Sequence, residues 1–176
     1  SVHHGLFWKF HGVRTLTGPF GARVKPLVKA DINLYGYHLP LDAHLEVGNA
    51  ATLAGLISLE ELAPFGDYYG SSTGVQGRFS SILSAQELAA KLKKVLHHEI
   101  LVSCPPQKEI STVGIITGGA NSDWALAARS GLDAYITGEM SEHDWHEAKE
   151  AGVCMLAGGH HATEQFGIQH LQNKLE

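Results

Sequence analysis

Short apolar runs alternate with helical patterns over the last third of the chain. The runs STVGIIT, DAYITGE and VCMLAGG are typical of buried strands, and each precedes a segment with helical spacing. Three consecutive strand–helix units predict parallel strands joined by right-handed crossovers. In such sheets ligands bind beyond the carboxyl ends of the strands, so polar residues that directly follow these runs are the first candidates for a site.

The earlier part of the chain has a more varied pattern. Ser84 and Glu87 have the spacing of a capping box and predict the start of a helix. The Gly-, Ser- and Tyr-rich stretch 66–77 is typical of antiparallel strands and turns. The other predicted elements are helices over 24–30 and 48–57 and strands over 31–39 and 99–104.

Composition limits the classes of function. With 176 residues and 44% apolar content, the chain can form one domain or two small ones that share a core. No apolar run approaches the roughly 18 residues of a membrane span, so we expect no membrane partner. A net charge of −5 disfavours nucleic acid as a partner. Cys104 and Cys154 lie in different apolar segments, which predicts buried free thiols and a cytoplasmic location.

The chain begins at Ser1 without an initiator methionine, in what resembles the end of a strand, and stops on a helical pattern. We therefore expect a segment of a longer protein that lacks an N-terminal piece of roughly 30 or more residues. A natural short form is the alternative.

The 12 histidines are clustered, and one cluster lies in AGGHHATE. A helix that begins near His161 would bring His160 and Glu164, four residues apart, onto one face, where an imidazole and a carboxylate can hold the same metal ion. The alternative is a histidine at a helix start followed by a glutamate that interacts favourably with the helix dipole.

A second cluster, YHLPLDAH, contributes His38, Asp42 and His44 at the end of a predicted strand. Asp42 is short enough to be a well-fixed metal ligand. The alternative is a helix N-cap beside a surface histidine.

The third cluster is the adjacent pair His3 and His4, followed by Gly5. Neighbouring strand residues point to opposite faces, so both imidazoles can act together only where the chain leaves strand geometry, each on a different ion of a close pair. A histidine-rich turn or a tag remnant is the alternative. Nitrogen and carboxylate ligands suit two divalent ions of Zn, Mn, Fe or Ni, with Asp42 and Glu164 as bridging groups.

The motifs VHHGLFWK, YGYHLPLDAH, DAYITGEMSE and AGGHHATE together resemble the GTP cyclohydrolase 1 type 2 homologue (Nif-three-like) family, in particular its short bacterial members of the YbgI type. The resemblance implies an α/β fold of two related, interlocked halves with mostly parallel strands, and a dimetal centre between them at strand C-terminal ends. It also implies a toroidal homohexamer. We place the halves at 1–64 and 65–176. The metal ligands implied by the family are His3, His4, Asp42, His160 and Glu164.

The resemblance and the metal ligands predict a hydrolase. A hydroxide that bridges the two ions would attack a carbon of a small-molecule substrate, and the family name indicates a purine nucleotide. His38 is the candidate for proton transfer, because an imidazole titrates near neutral pH. Lys9 and Glu139 are candidate substrate-binding residues, with an exposed lysine and a tight turn as the alternatives. Support of a metal ligand by a hydrogen bond is a further candidate role for Glu139. The competing function is a non-enzymatic metal-binding scaffold or interaction protein that forms a ring.

Overall fold

A computed structural model describes residues 1–176, which form two compact units, Ser1–His38 and Leu39–Glu176. The helices are α1 Gly18–Lys29, α2 Leu39–Asp42, α3 Asn49–Leu56, α4 Ala85–Leu96, α5 Trp124–Arg129, α6 Glu142–Glu150, α7 His160–Thr163 and α8 Phe166–Leu175. The strands are β1 Glu60–Phe65, β2 Gly74–Ser84, β3 Leu101–Val102, β4 Glu109–Ile115, β5 Ala134–Thr137 and β6 Cys154–Ala157. Two short 3-10 helices span Lys9–His11 and Asn121–Asp123.

The first unit contains α1 and the short helix Lys9–His11, but not the strand predicted over 31–39. That prediction was wrong: the segment makes only an isolated parallel bridge, between Val2 and Gly36. Its aromatic alternation misled the prediction because residues 31–37 are all exposed, so that no face of the segment is buried. Glycine at position 36 allows this close approach, since a Cβ would lie 3.2 Å from backbone atoms of Gly5.

The second unit is built on a six-stranded sheet in the order β1-β2-β4-β5-β6-β3. The pairs β4–β5 and β5–β6 are parallel, as the strand–helix units predict. The pairs β1–β2, β2–β4 and β3–β6 are antiparallel. The sheet is therefore mixed rather than mostly parallel. For β1 and β2 the physical reason is connection length, because a short loop joins these strands whereas parallel neighbours need a crossover.

The core of the second unit lies on both faces of this sheet. Strands β5 and β6 are buried along their whole lengths, which explains why their sequences are continuous apolar runs rather than alternating ones. The main cluster packs α3 and α4 side chains such as Leu53 and Leu88 against strand residues such as Ile115. The predicted capping box is confirmed, since Ser84 Oγ accepts a hydrogen bond from Glu87 N at 3.2 Å and Ser84 N donates to the Glu87 carboxylate at 2.7 Å.

Cys104 and Cys154 form a disulfide, so the prediction of two free thiols was wrong. The reason is the pairing of β3 with β6, in which Val102 lies opposite Leu156 and Ser103 N donates to Met155 O at 3.0 Å. Continuing this antiparallel register sets the two cysteines near each other, with Cα atoms 5.1 Å apart. The predicted cytoplasmic location thereby loses its support from free thiols. None of the helices has the length and apolar character needed to cross a membrane.

Candidate metal centre

The first unit brings three imidazoles together. The ring centroids of His3 and His4 are 4.9 Å apart, and that of His38 lies 5.0 and 5.1 Å from them. One potential ligand atom from each of the three histidines lies within 4.8 Å of the others. The local cause is the bridge of Val2 to Gly36, after which residues 3 and 4 form a bend instead of continuing as a strand. The predicted loss of strand geometry after Val2 is thus confirmed.

A hydrogen bond fixes the tautomer of His3. This side chain is buried, and its Nδ1 lies 2.8 Å from the backbone carbonyl oxygen of Tyr37. Because a carbonyl oxygen can only accept, Nδ1 carries the proton and donates it. The lone pair is then on Nε2, the arrangement by which proteins orient a metal-binding histidine.

The second unit brings His160 together with two carboxylates. His160 begins α7 directly after the Gly158–Gly159 turn that follows β6. Its Nε2 lies 3.0 Å from Glu164 Oε2, and its Nδ1 contacts Glu139 Oε1. The predicted proximity of the His160 and Glu164 side chains is confirmed. The helix that carries them is short, since α7 ends at Thr163 and α8 starts at Phe166.

Two glycines let the backbone after β4 approach this cluster. At Gly118, with φ +74°, a Cβ would lie 2.9 Å from Glu164 Cδ and 3.1 Å from His160 Nε2. At Gly119 it would lie 3.4 Å from His160 Cε1. Gly118 N also donates to the hydroxyl of Thr163 at 3.1 Å. The backbone at Gly118 and Gly119 is therefore in close contact with the His160 and Glu164 side chains.

Asp42 is held by a residue that the sequence pattern did not single out. Asp42 ends α2 and is buried, and its Oδ1 accepts a hydrogen bond from Asn49 Nδ2 at 2.8 Å. Asn49 is itself completely buried and accepts a hydrogen bond from Gly167 N at 2.7 Å through its Oδ1. The only available signal was an amide side chain in an otherwise alanine- and leucine-rich helix.

Two other sequence candidates, His44 and Lys9, are exposed. His44 is exposed, and its Nδ1 accepts hydrogen bonds from the backbone N–H groups of Glu46 and Val47 at 3.2 and 3.3 Å, so it stabilises a local turn. Lys9 is exposed at the start of the short helix Lys9–His11 and lines a cavity in the first unit together with Trp8 and Arg14.

Comparison with known proteins extends over nearly the whole chain. The family model described as Duf34/NIF3 (NGG1p interacting factor 3) matches residues 2–176. A relative from Pasteurella multocida (strain Pm70), named GTP cyclohydrolase 1 type 2 homolog, is 46% identical over 171 residues, covering 97% of this chain and 67% of the relative. A relative of the same name from Deinococcus radiodurans is 41% identical over 175 residues, covering 99% of this chain and 66% of the relative.

Solved structures are also similar to this chain over nearly its whole length. The protein ybgI, described as of unknown function, is 39% identical with a TM-score of 0.85, and the match covers 99% of this chain and 69% of that one. TTHA1606 from Thermus thermophilus is 34% identical with a TM-score of 0.80, and the match covers 99% and 68% of the two chains. This chain thus spans about two thirds of the length of these relatives. Motifs, fold and sequence identity agree, and the chain belongs to the Duf34/NIF3 family.

Proposed function

We propose that this chain is a metal-dependent hydrolase with a dinuclear centre. The ligands we assign are His3, His4, Asp42, His160 and Glu164, and the substrate is a small molecule with a hydrolysable carbon–nitrogen bond. The observation that carries the proposal is the pairing of His160 with Glu164 on one side and Glu139 on the other. An imidazole fixed by one carboxylate and adjacent to a second is the arrangement expected of a metal ligand with its supporting and neighbouring groups.

The donor set fits the ions predicted from the sequence. Both cysteines are joined to each other, so the candidate ligands are imidazole nitrogens and carboxylate oxygens, which suit Zn, Mn, Fe or Ni. A pair of such cations, when bound, supplies an activated water at neutral pH and stabilises negative charge that develops on the substrate. The names of the curated relatives, GTP cyclohydrolase 1 type 2 homolog, support a purine nucleotide as the substrate class.

The other residues of the site have supporting roles in this proposal. Glu139 holds the Nδ1 proton of His160, so that Nε2 would carry the lone pair offered to a metal ion. Asn49 donates a hydrogen bond to one oxygen of Asp42 and so fixes the orientation of the carboxylate. His38 lies against the rings of His3 and His4, from where it transfers protons to or from the reacting group.

We expect Glu139→Gln to weaken metal binding by about 10- to 100-fold, because a neutral amide supports the imidazole less well than a carboxylate. Competition with a chelator, using Zn²⁺, measures the change in Kd. Glu142→Gln is the matched control, since Glu142 is exposed at the start of α6. Equal Zn²⁺ affinity in the two variants would show that Glu139 does not support His160 as a metal ligand.

The catalytic proposal is tested by removing metal with a chelator, reloading each ion in turn and assaying nucleotides, phosphoesters and amides. Turnover should follow metal content. His38→Gln should keep its metal but lose turnover by about a hundredfold or more, as for loss of a general acid or base. His44→Gln is the control, as His44 makes only the local turn contacts described above. Loss of metal from His38→Gln would make His38 a ligand, whereas full metal loading without turnover on any substrate would support the scaffold function.

We also propose that the chain assembles into the homohexameric ring that the resemblance implies. The first unit exposes large apolar side chains, among them Phe10, Val13 and Val28, of the kind that subunit contacts cover. Sedimentation equilibrium measures the number of chains in the assembly directly.

A further inference from the structure

The first unit carries a charge opposite to that of the whole chain. Residues 1–38 contain five lysines and arginines and one aspartate, a net charge of +4 with histidine neutral, whereas the complete chain has −5. The remaining residues therefore account for −9. A concentration of positive charge on one segment of an acidic chain attracts anions to that segment.

A cavity of about 300 Å³ lies in this positive unit, at the lower end of the range for small-molecule sites. Its lining combines aromatic rings with cationic or titratable groups: Phe7, Trp8, Lys9, His11, Arg14 and Phe20. This mixture differs from a purely apolar groove, because the same opening offers flat ring surfaces and positive charge.

Two of these rings and the Arg14 guanidinium are in contact. Phe7 packs edge-on against Phe20 at 5.6 Å and is itself 79% exposed, so much of its surface remains open. The guanidinium carbon of Arg14 lies 5.2 Å from the centroid of the Phe20 ring, within cation–π distance. Phe20 is buried beneath them. The cavity thus offers an accessible aromatic ring beside a guanidinium group.

Trp8 connects this cavity to the histidines of the candidate centre. It lines the cavity, and its ring makes edge contacts at 5.3 Å with both His4 and His38. A hydrogen bond of 2.9 Å from its indole Nε1 to the carbonyl oxygen of Gly5 fixes its position. A molecule in the cavity would therefore lie beside the ring that contacts two of the three clustered histidines.

The titration of His11 agrees with a positive local potential. Burial lowers the pKa of His11 below its ordinary value, and the charges of Arg14 and Arg23 lower it further. Its ring is therefore mostly neutral at neutral pH. An anion bound beside these two arginines would offset their effect on His11.

We propose that this cavity binds a nucleoside phosphate, with its base against Phe7 and Trp8 and its phosphates on Lys9 and Arg14. Base stacking requires a flat exposed ring, and phosphates require lysine or arginine donors; the cavity provides both. The inference adds a binding place for the nucleotide to the proposed function. Only its relevance to catalysis rests on that function. Binding itself does not depend on metal.

Calorimetry on the full chain, after metal and chelator have been removed, tests the proposal with GTP, guanosine and inorganic triphosphate. GTP should bind more tightly than either fragment. Arg14→Glu should weaken GTP and triphosphate by about tenfold or more, with little effect on guanosine. Phe7→Ala should weaken GTP and guanosine about fivefold or more, with little effect on triphosphate. Lys25→Glu makes the same charge change on the exposed face of α1, outside the cavity lining, and should stay within about twofold for all three ligands.

If Arg14→Glu and Lys25→Glu lose the same amount of GTP affinity, the loss comes from the overall charge of the chain. That result would overturn the proposed site. Absence of GTP binding to the wild-type chain would also overturn it. If a single-stranded oligonucleotide binds more tightly than GTP at the same salt concentration, the ligand of the cavity is a nucleic-acid strand and the proposal of a mononucleotide is wrong. These measurements use metal-free protein, so they are independent of the test for metal-dependent turnover. Nucleotide binding to the cavity can be absent while turnover is present, and turnover can be absent while nucleotide binding is present.

Discussion

Asp42→Asn is expected to lower bound metal from about two ions per chain to one or none, as measured by elemental analysis after reloading with Zn²⁺ or Mn²⁺. The substitution replaces one carboxylate oxygen by an amide nitrogen, which removes both the negative charge and the ability to bridge two cations. The remaining amide oxygen can still accept the hydrogen bond from Asn49, so we expect the fold to persist.

The matched control for this variant is Asp67→Asn. Asp67 accepts a hydrogen bond of 2.8 Å from Gly70 N in an exposed turn, so the control also removes one charge while an amide oxygen can keep the contact. It should retain its full metal content. Retention of two ions by Asp42→Asn, at the same circular dichroism as the wild type, would contradict the assignment of Asp42 as a bridging ligand.

The parts of the fold that were predictable are those set by local sequence. Strands β5 and β6 are buried on both faces, and their continuous apolar runs therefore identify them. The capping box at Ser84 follows from a spacing of three residues. By contrast, β3 has two residues at the edge of the sheet, and nothing local indicates that its partner is β6. The disulfide was missed for the same reason.

In the candidate site, too, the contacts set by local sequence were predictable and those set by tertiary packing were not. His160 and Glu164 are four residues apart, so one turn of helix predicts their contact. Glu139 contacts His160 across 21 residues, and Asn49 contacts Gly167 across 118 residues. These partners depend on how the second unit packs rather than on sequence spacing. Contacts within one helical turn are therefore predictable from sequence, whereas contacts between distant residues depend on the tertiary structure.

Asn49→Ala should lower the free energy of unfolding by roughly 3 kcal/mol, since it leaves a buried backbone N–H of Gly167 and the Asp42 carboxylate without this partner. Alanine favours a helix over asparagine by at most about 0.7 kcal/mol, which is too little to offset the loss. Urea unfolding of the metal-free chain should show a lower midpoint at unchanged slope. Asn173→Ala makes the same change on the exposed face of α8 and should stay within about 0.5 kcal/mol of the wild type. Equal stability of the two variants would mean that Asn49 does not hold Asp42 and α8 together.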